Sequence, residues 1–167
     1  PYTHLSRLQQ QNGSLAQAHE TLKLVKELQA AMTAEFPDVP RYRTDLGSTL
    51  NSLASLLQDA GNLGEAETCF RQALQIQAGL AQEFPDVPDH HMTLAGIKSN
   101  LCGLLARTGR SEEAQRAYAE LIREQQQLAD RFPDEVGFHV ALAISCNNFG
   151  NLLEHLGQAE AAEQSLR

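Results

Sequence analysis

Histidine and cysteine are the residues here whose chemistry could be catalytic or metal-binding, and their spacing argues against both uses. His90 and His91 are adjacent, so on a helix their side chains diverge, whereas helical metal pairs stand three or four residues apart. His91 and His139 stand in register in neighbouring copies of a repeat, with Arg43 one copy earlier, and His90 falls in register with Tyr42 and Phe138. A column that accepts Tyr, His and Phe is an aromatic packing slot; one that accepts Arg and His is a surface. Cys69, Cys102 and Cys146 are widely separated in apolar helical sequence, which reads as buried reduced thiols in a reducing compartment. No CxxC or HExxH motif occurs, no glycine-rich phosphate loop follows a strand, and no Ser/His/Asp set has strands and loops to hold it. The expectation is a segment without a catalytic site, a metal or a cofactor.

The repeat has a 48-residue step that runs through the whole chain. Glu35 to Pro40 and Glu83 to Pro88 both read EFPDVP, and Arg131 to Val136 is a variant, RFPDEV. Gly13, Gly61, Gly109 and Gly157 keep the same interval, as do Ala18, Ala66, Ala114 and Ala162. A period that holds at independent columns marks a repeat architecture.

Each unit reads as two helices. Leu46, Leu50, Leu53, Leu56 and Leu57 recur at three or four residues, one apolar stripe that ends at the Gly61-Asn62 turn signal. Ala66, Phe70, Ala73, Leu74, Gln77, Leu80 and Ala81 form a second stripe, which Pro85 stops. In the joint, aspartate is expected to cap the following helix and the second proline to occupy its first turn, while Phe36, Phe84 and Phe132 plug the gap between hairpins. The predicted helices are Tyr2–Gln11, Leu15–Glu35, Val39–Ala60, Leu63–Phe84, Val87–Thr108, Ser111–Phe132, Glu135–Leu156 and Gln158–Arg167. This is an all-α chain of about seven to eight helices in antiparallel hairpins, one array spanning 1–167. It divides into a partial repeat (1–36), two full repeats (37–84 and 85–132) and a truncated one (133–167).

Composition agrees. Of 167 residues, 42% are hydrophobic, 20% charged and only 5% aromatic, with no Trp, as expected for one helix-rich unit packed by small and aliphatic side chains. The formal charge of −8 disfavours nucleic acid and anionic lipid as partners, because both reward clustered positive charge. No stretch approaches the ~20 apolar residues that span a bilayer. A cytoplasmic location is expected. Truncated ends would leave apolar faces uncovered, favouring a homodimer through them.

The columns Leu50, Leu53-Ala54, Leu57, Gly61, Ala66, Phe70 and Ala73 resemble the tetratricopeptide repeat. The next copy offers Leu101-Cys102, Leu105, Gly109, Ala114 and Tyr118, and the last Phe149-Gly150, Leu153, Gly157, Ala162 and Leu166. The family's usual period is shorter, about 34 residues, and the proline that normally ends its second helix is replaced by Ala78. The surplus lengthens each helix by about two turns, or ~10 Å. Long arrays with such FPDVP-like linkers resemble those attached to bacterial serine/threonine protein kinases.

The resemblance implies a right-handed superhelix whose first helices line a concave groove for a peptide or partner protein. Its groove positions correspond to Thr3, His4 and Arg7; Asn51, Ser52, Ser55 and Asp59; Ser99, Asn100, Gly103 and Arg107; and Asn147, Asn148, Asn151 and His155. The candidate groove set is Arg7, Asn51, Ser55, Asn100, Arg107, Asn147, Asn148 and Asn151: carboxamides donate and accept, so its asparagines could hold an extended backbone, while Arg7 and Arg107 could meet an acidic residue. Lys98 falls on the apolar side, which disfavours clamping of a C-terminal carboxylate. The expected function is a protein-interaction scaffold, a regulatory segment of a larger bacterial protein. Two alternatives are a spacer or self-association module with an empty groove and, more remotely, part of an enzyme.

Overall fold

The computed structural model describes the backbone of residues 2–157 and the side chains of residues 17–157. Six α-helices occur there: α1 (Tyr2–Glu35), α2 (Pro40–Asp59), α3 (Leu63–Glu83), α4 (Pro88–Arg107), α5 (Ser111–Arg131) and α6 (Val136–His155). The helix expected over Gln158–Arg167 lies outside the described residues, as do the columns at Ala162 and Leu166.

One expected break is absent. Gly13 carries the turn signal between two predicted helices, yet α1 runs through it without interruption. Gly61, Gly109 and Gly157 adopt φ of +83°, +76° and +73°. At those glycines the preceding helix is 20 residues long, and docking of its apolar face offsets the carbonyls and amides that a break leaves open. At Gly13 the continuous hydrogen-bond ladder outweighs a glycine penalty of about 1 kcal/mol, so the two helices expected over residues 2–35 are one, and the described residues hold six helices.

The turns themselves repeat atom for atom. The Asn62 N–H donates to the Leu57 carbonyl at 2.8 Å and the Gly61 N–H to that of Gln58 at 3.1 Å; Arg110 and Gly109 make the same pair with Leu105 and Ala106, at 3.0 and 3.2 Å. This is the Schellman closure, and its left-handed residue is why glycine recurs there.

The joints repeat as well, but not by the expected aspartate cap. Val39, Val87 and Glu135 are the N-cap residues and none makes a side-chain cap bond. Backbone closes the joint instead. Val39, Val87 and Glu135 donate to the carbonyls of Phe36, Phe84 and Phe132, and the third residue beyond each donates back to it, all at 3.0–3.3 Å. Pro40 and Pro88 then open the next helix with φ preset. Asp86, freed from capping, takes a 2.8 Å bond from Arg131 Nη2.

The chain forms two compact units, Pro1–Ile76 and Gln77–Arg167, with the boundary inside α3. In the first, α1 packs on α2, and Leu50, Leu53, Ala54, Leu57, Ala66, Phe70 and Ala73 are all buried. Each large apolar side chain among them contributes about 1.5–3 kcal/mol. In the second, α5 packs on α4 and α6, which also touch each other. Its core joins Ala95, Cys102, Leu105, Ala114, Tyr118, Leu121 and Leu152, with Leu101 and Phe149 packed against them.

The joint aromatics do close on the next helix. Phe36, Phe84 and Phe132 meet the residue six positions on, Tyr42, His90 and Phe138, at ring-centroid distances of 5.9, 5.7 and 5.5 Å. The Tyr/His/Phe column is thus an aromatic slot. Gln77 reinforces the middle joint: its Nε2 donates to the His90 carbonyl at 3.0 Å and sits 3.2 Å from His90 Nδ1.

Two glycines separate turn demands from helix propensity. Gly109→Ala forces a left-handed alanine, a loss of roughly 1–2 kcal/mol that should lower Tm by about 2–8 °C. Gly79→Ala, in α3 with nothing within 4 Å of the added methyl, should raise stability by about 0.5–1 kcal/mol; thermal melts followed by circular dichroism check both signs.

Candidate functional site

The groove positions inferred from sequence divide between the units. Asn51 and Ser55 lie on α2 in the first unit. Asn51 is half-buried and Ser55 is tied down, its hydroxyl donating to the Asn51 carbonyl at 3.1 Å. Arg7 lies outside the residues whose side chains are described, with Thr3 and His4 beside it. In the second unit Asn100 and Arg107 stand exposed on α4, Asn147 and Asn151 stand exposed on α6, and Asn148 is half-buried there.

On α4 the 100° step per residue puts Asn100 and Arg107 on the side opposite Leu101, Cys102 and Leu105, which face the α5 core. The apolar seam with α5 therefore fixes which way Asn100 points. Tyr118 is part of that seam: its ring lies 5.8 Å from Phe149, and a methyl at Gly103 would meet its hydroxyl at 3.8 Å. No Asp, Glu, Lys or Arg occurs on α6 between Val136 and Leu153.

A second concave feature is not visible in the sequence periodicity. A cleft of about 430 Å³ in the same unit is lined by Ala81 and Gln82 from α3, His91, Leu94 and Lys98 from α4, and Glu124, Gln127, Leu128 and Arg131 from α5. Lys98 Nζ pairs with Glu124 Oε2 at 2.5 Å, both half-buried. Arg131 bonds Asp86 and lies over the Phe132 ring, 5.2 Å from its centroid. His91, expected on open surface from its Arg/His column, is half-buried here; its Nε2 donates to the Pro85 carbonyl at 2.8 Å and its ring sits 5.9 Å from Phe132. The available signal is a double departure from the repeat. Lys98 stands where Leu50 stands one period earlier, and Glu124 where Ile76 stands.

Among the described residues no group of three or more His, Cys, Asp or Glu side chains is placed to hold a metal ion, and no helix is long and apolar enough to cross a membrane. Burial dominates the chemistry of the thiols. It raises Cys69 and Cys146 above the usual thiol range and pushes Cys102 up to about 12, which removes thiolate reactivity near neutral pH.

Two family models described as tetratricopeptide repeat match the chain, over residues 46–86 and 95–120. Those spans contain the buried columns and both Schellman glycines. The chain carries tetratricopeptide repeats. No curated protein matches it. Among solved structures, BtubC (BKLC) from P. vanneervenii is 25% identical with a TM-score of 0.63, over 90% of this chain and 54% of that one. The chain thus spans about half the length of that structure. Two crystal structures of a kinesin-light-chain-like protein of Podosopora anserina with nearly identical TPR-like repeats are 18% and 19% identical. Their TM-scores are 0.54 and 0.53, over 98% of this chain and 88% and 89% of theirs; they share the fold. Tetratricopeptide repeats generally mediate protein–protein interaction, and the fold is typically a scaffold rather than an enzyme.

Burial of ionisable core groups makes this repeat unit alkali-sensitive. Cys102 is held near 12 by burial, and Tyr118 likewise by burial with a smaller contribution from Cys102. An acid whose folded pKa is raised keeps its proton while the unfolded chain loses it, so stability is full below the unfolded pKa and falls as pH rises toward the folded one. Tm should fall steadily from about pH 8.5, the unfolded thiol value, toward pH 12. Cys102→Ala with Tyr118→Phe copies Ala54 and Phe70 of the preceding repeat, and should fold normally and flatten that decline in a pH series of melts.

Proposed function

We propose that the chain is a protein-interaction module that binds an extended segment of a partner along the first-helix faces bearing Asn51, Ser55, Asn100, Arg107, Asn147, Asn148 and Asn151, with Arg7 as the expected contribution of the leading partial repeat. The observation that supports this most is in the second unit, where Asn100 stands exposed on the side of α4 turned away from the α5 seam and exposed asparagines recur on α6 at Asn147 and Asn151. Carboxamides spaced along a helix satisfy the donors and acceptors of an extended backbone whatever its side chains are. The interaction role general to tetratricopeptide repeats points the same way. In this reading the four repeat divisions form one array, acting as a regulatory segment of a larger cytoplasmic bacterial protein.

Asn100→Ala with Asn148→Ala tests it. Partners captured from lysate of the source cells with the wild-type chain as bait, identified by mass spectrometry and then purified, should bind the double variant at least about tenfold more weakly, the loss of two hydrogen bonds. Tm should change by no more than a few degrees. Equal affinity would remove the asparagine face from the binding site. A spacer role predicts that no partner is retained by either form.

A further inference from the structure

The Lys98–Glu124 pair replaces aliphatic packing. Leu50, at the column of Lys98, is only 3% exposed, and Ile76 is half-buried. A half-buried ion pair adds little stability over packed aliphatic side chains and often less than they do. Two linked departures that bring no stability and border a cleft point to a use beyond folding.

The cleft has a simple layout. His91, Leu94 and Lys98 follow one another along α4 at steps of three and four, and Glu124, Leu128 and Arg131 do so along the antiparallel α5. Lys98 and Glu124 meet at one end, and His91 and Phe132 meet beside Arg131 at the other. Seven residues of helix separate the ends by about 10 Å. Leu94, Leu128 and Ala81 form the apolar middle. Each end presents a cation already holding a carboxylate: Glu124 on Lys98, and Asp86 on Arg131. The Asp86 side chain is 92% exposed, so that pair opens readily to solvent.

We propose that this cleft docks an acidic segment of a partner protein in extended conformation. Lys98 and Arg131 exchange their internal carboxylates for two acidic side chains of the partner, and the apolar side chain between them packs on Leu94 and Leu128. Alternate residues of an extended chain lie about 6.6 Å apart on one face, so residues i, i+2 and i+4 of the partner face the cleft, and the two acidic side chains, about 13 Å apart along the backbone, lean inward to the cations. Because the rest of the chain is acidic, with a net charge of −8, the attraction is local. Glu124 then acts as an internal competitor, a carboxylate occupying the partner's place in the free chain.

This site is separate from the asparagine face, and its test is independent of it. The probe is a fluorescein-labelled synthetic peptide carrying Glu-Gly-Leu-Gly-Glu in a Gly/Ser frame, read by anisotropy, with a Lys-Gly-Leu-Gly-Lys peptide as counterpart. Lys98→Met, which returns an apolar residue to the Leu50 column, and Arg131→Gln should each weaken the acidic peptide about tenfold, as expected for one charge-assisted contact. Glu124→Gln should tighten it several-fold, and Asn100→Ala with Asn148→Ala should leave it unchanged. Opposite signs at Lys98 and Glu124 cannot come from loss of folding, and Arg131→Gln, at the surface, gives a second reading if Lys98→Met fails to fold. The proposal is overturned if the acidic peptide does not bind, if the lysine counterpart binds as well, or if Glu124→Gln weakens binding.

Discussion

Everything in this chain depends on how it stops a helix. Proline at 37, 85 and 133 has no N–H to extend the ladder, so each second helix ends on the phenylalanine before it, whose own N–H makes the last helical bond, to the carbonyl four residues back, at 2.8–2.9 Å. Two backbone bonds then turn the chain, and the phenylalanine ring lands on the residue six positions later. Chain reversal and ring contact are thus coupled. The next helix cannot rotate about its own axis without losing that contact; on α4 the apolar stripe meets α5 and Asn100 faces away. One short repeated joint therefore sets the azimuth of each long first helix that follows it.

The fold was legible because the local and global preferences agree. Apolar columns at Leu50, Leu53, Leu57, Phe70 and Ala73, glycines at turns and prolines at joints each carry one structural consequence, and the same consequence recurs from copy to copy. Legibility failed where a rule of local chemistry met a competing geometry. Aspartate in FPDVP has the right residue type for a cap, but it stands one position before the N-cap valine, and the backbone satisfies the joint without it. Gly13 carries the turn signal, yet α1 runs through it. A turn glycine permits a break; packing on both sides is what stabilises one.

The candidate sites divide in the same way. The direction of the asparagine face followed from helical periodicity once the apolar stripe was known, since one side of a helix determines the other. The cleft beside α4 and α5 did not, because it arises between two residues far apart in sequence, Lys98 and Glu124, that no single-helix pattern connects. Each alone reads as an ordinary charged residue on a helix. Only comparison of columns between copies shows that both stand on normally apolar positions and that they change together.

That paired change has an ancestry implied by its burial. Repeats of one array begin as copies, so aliphatic residues at these two columns became Lys98 and Glu124 in at least two steps, and an intermediate with one charge lacked the other as its partner. The two orders are not equivalent. The column of Glu124 includes Leu28, whose surface is 63% exposed, so a solitary carboxylate there stays hydrated. The column of Lys98 includes Leu50, almost wholly enclosed, where a solitary ammonium must stretch its stem to reach water. The easier history places the glutamate first and the lysine second: a surface acid was acquired without penalty, and only then could a cation be drawn into the seam between two helices.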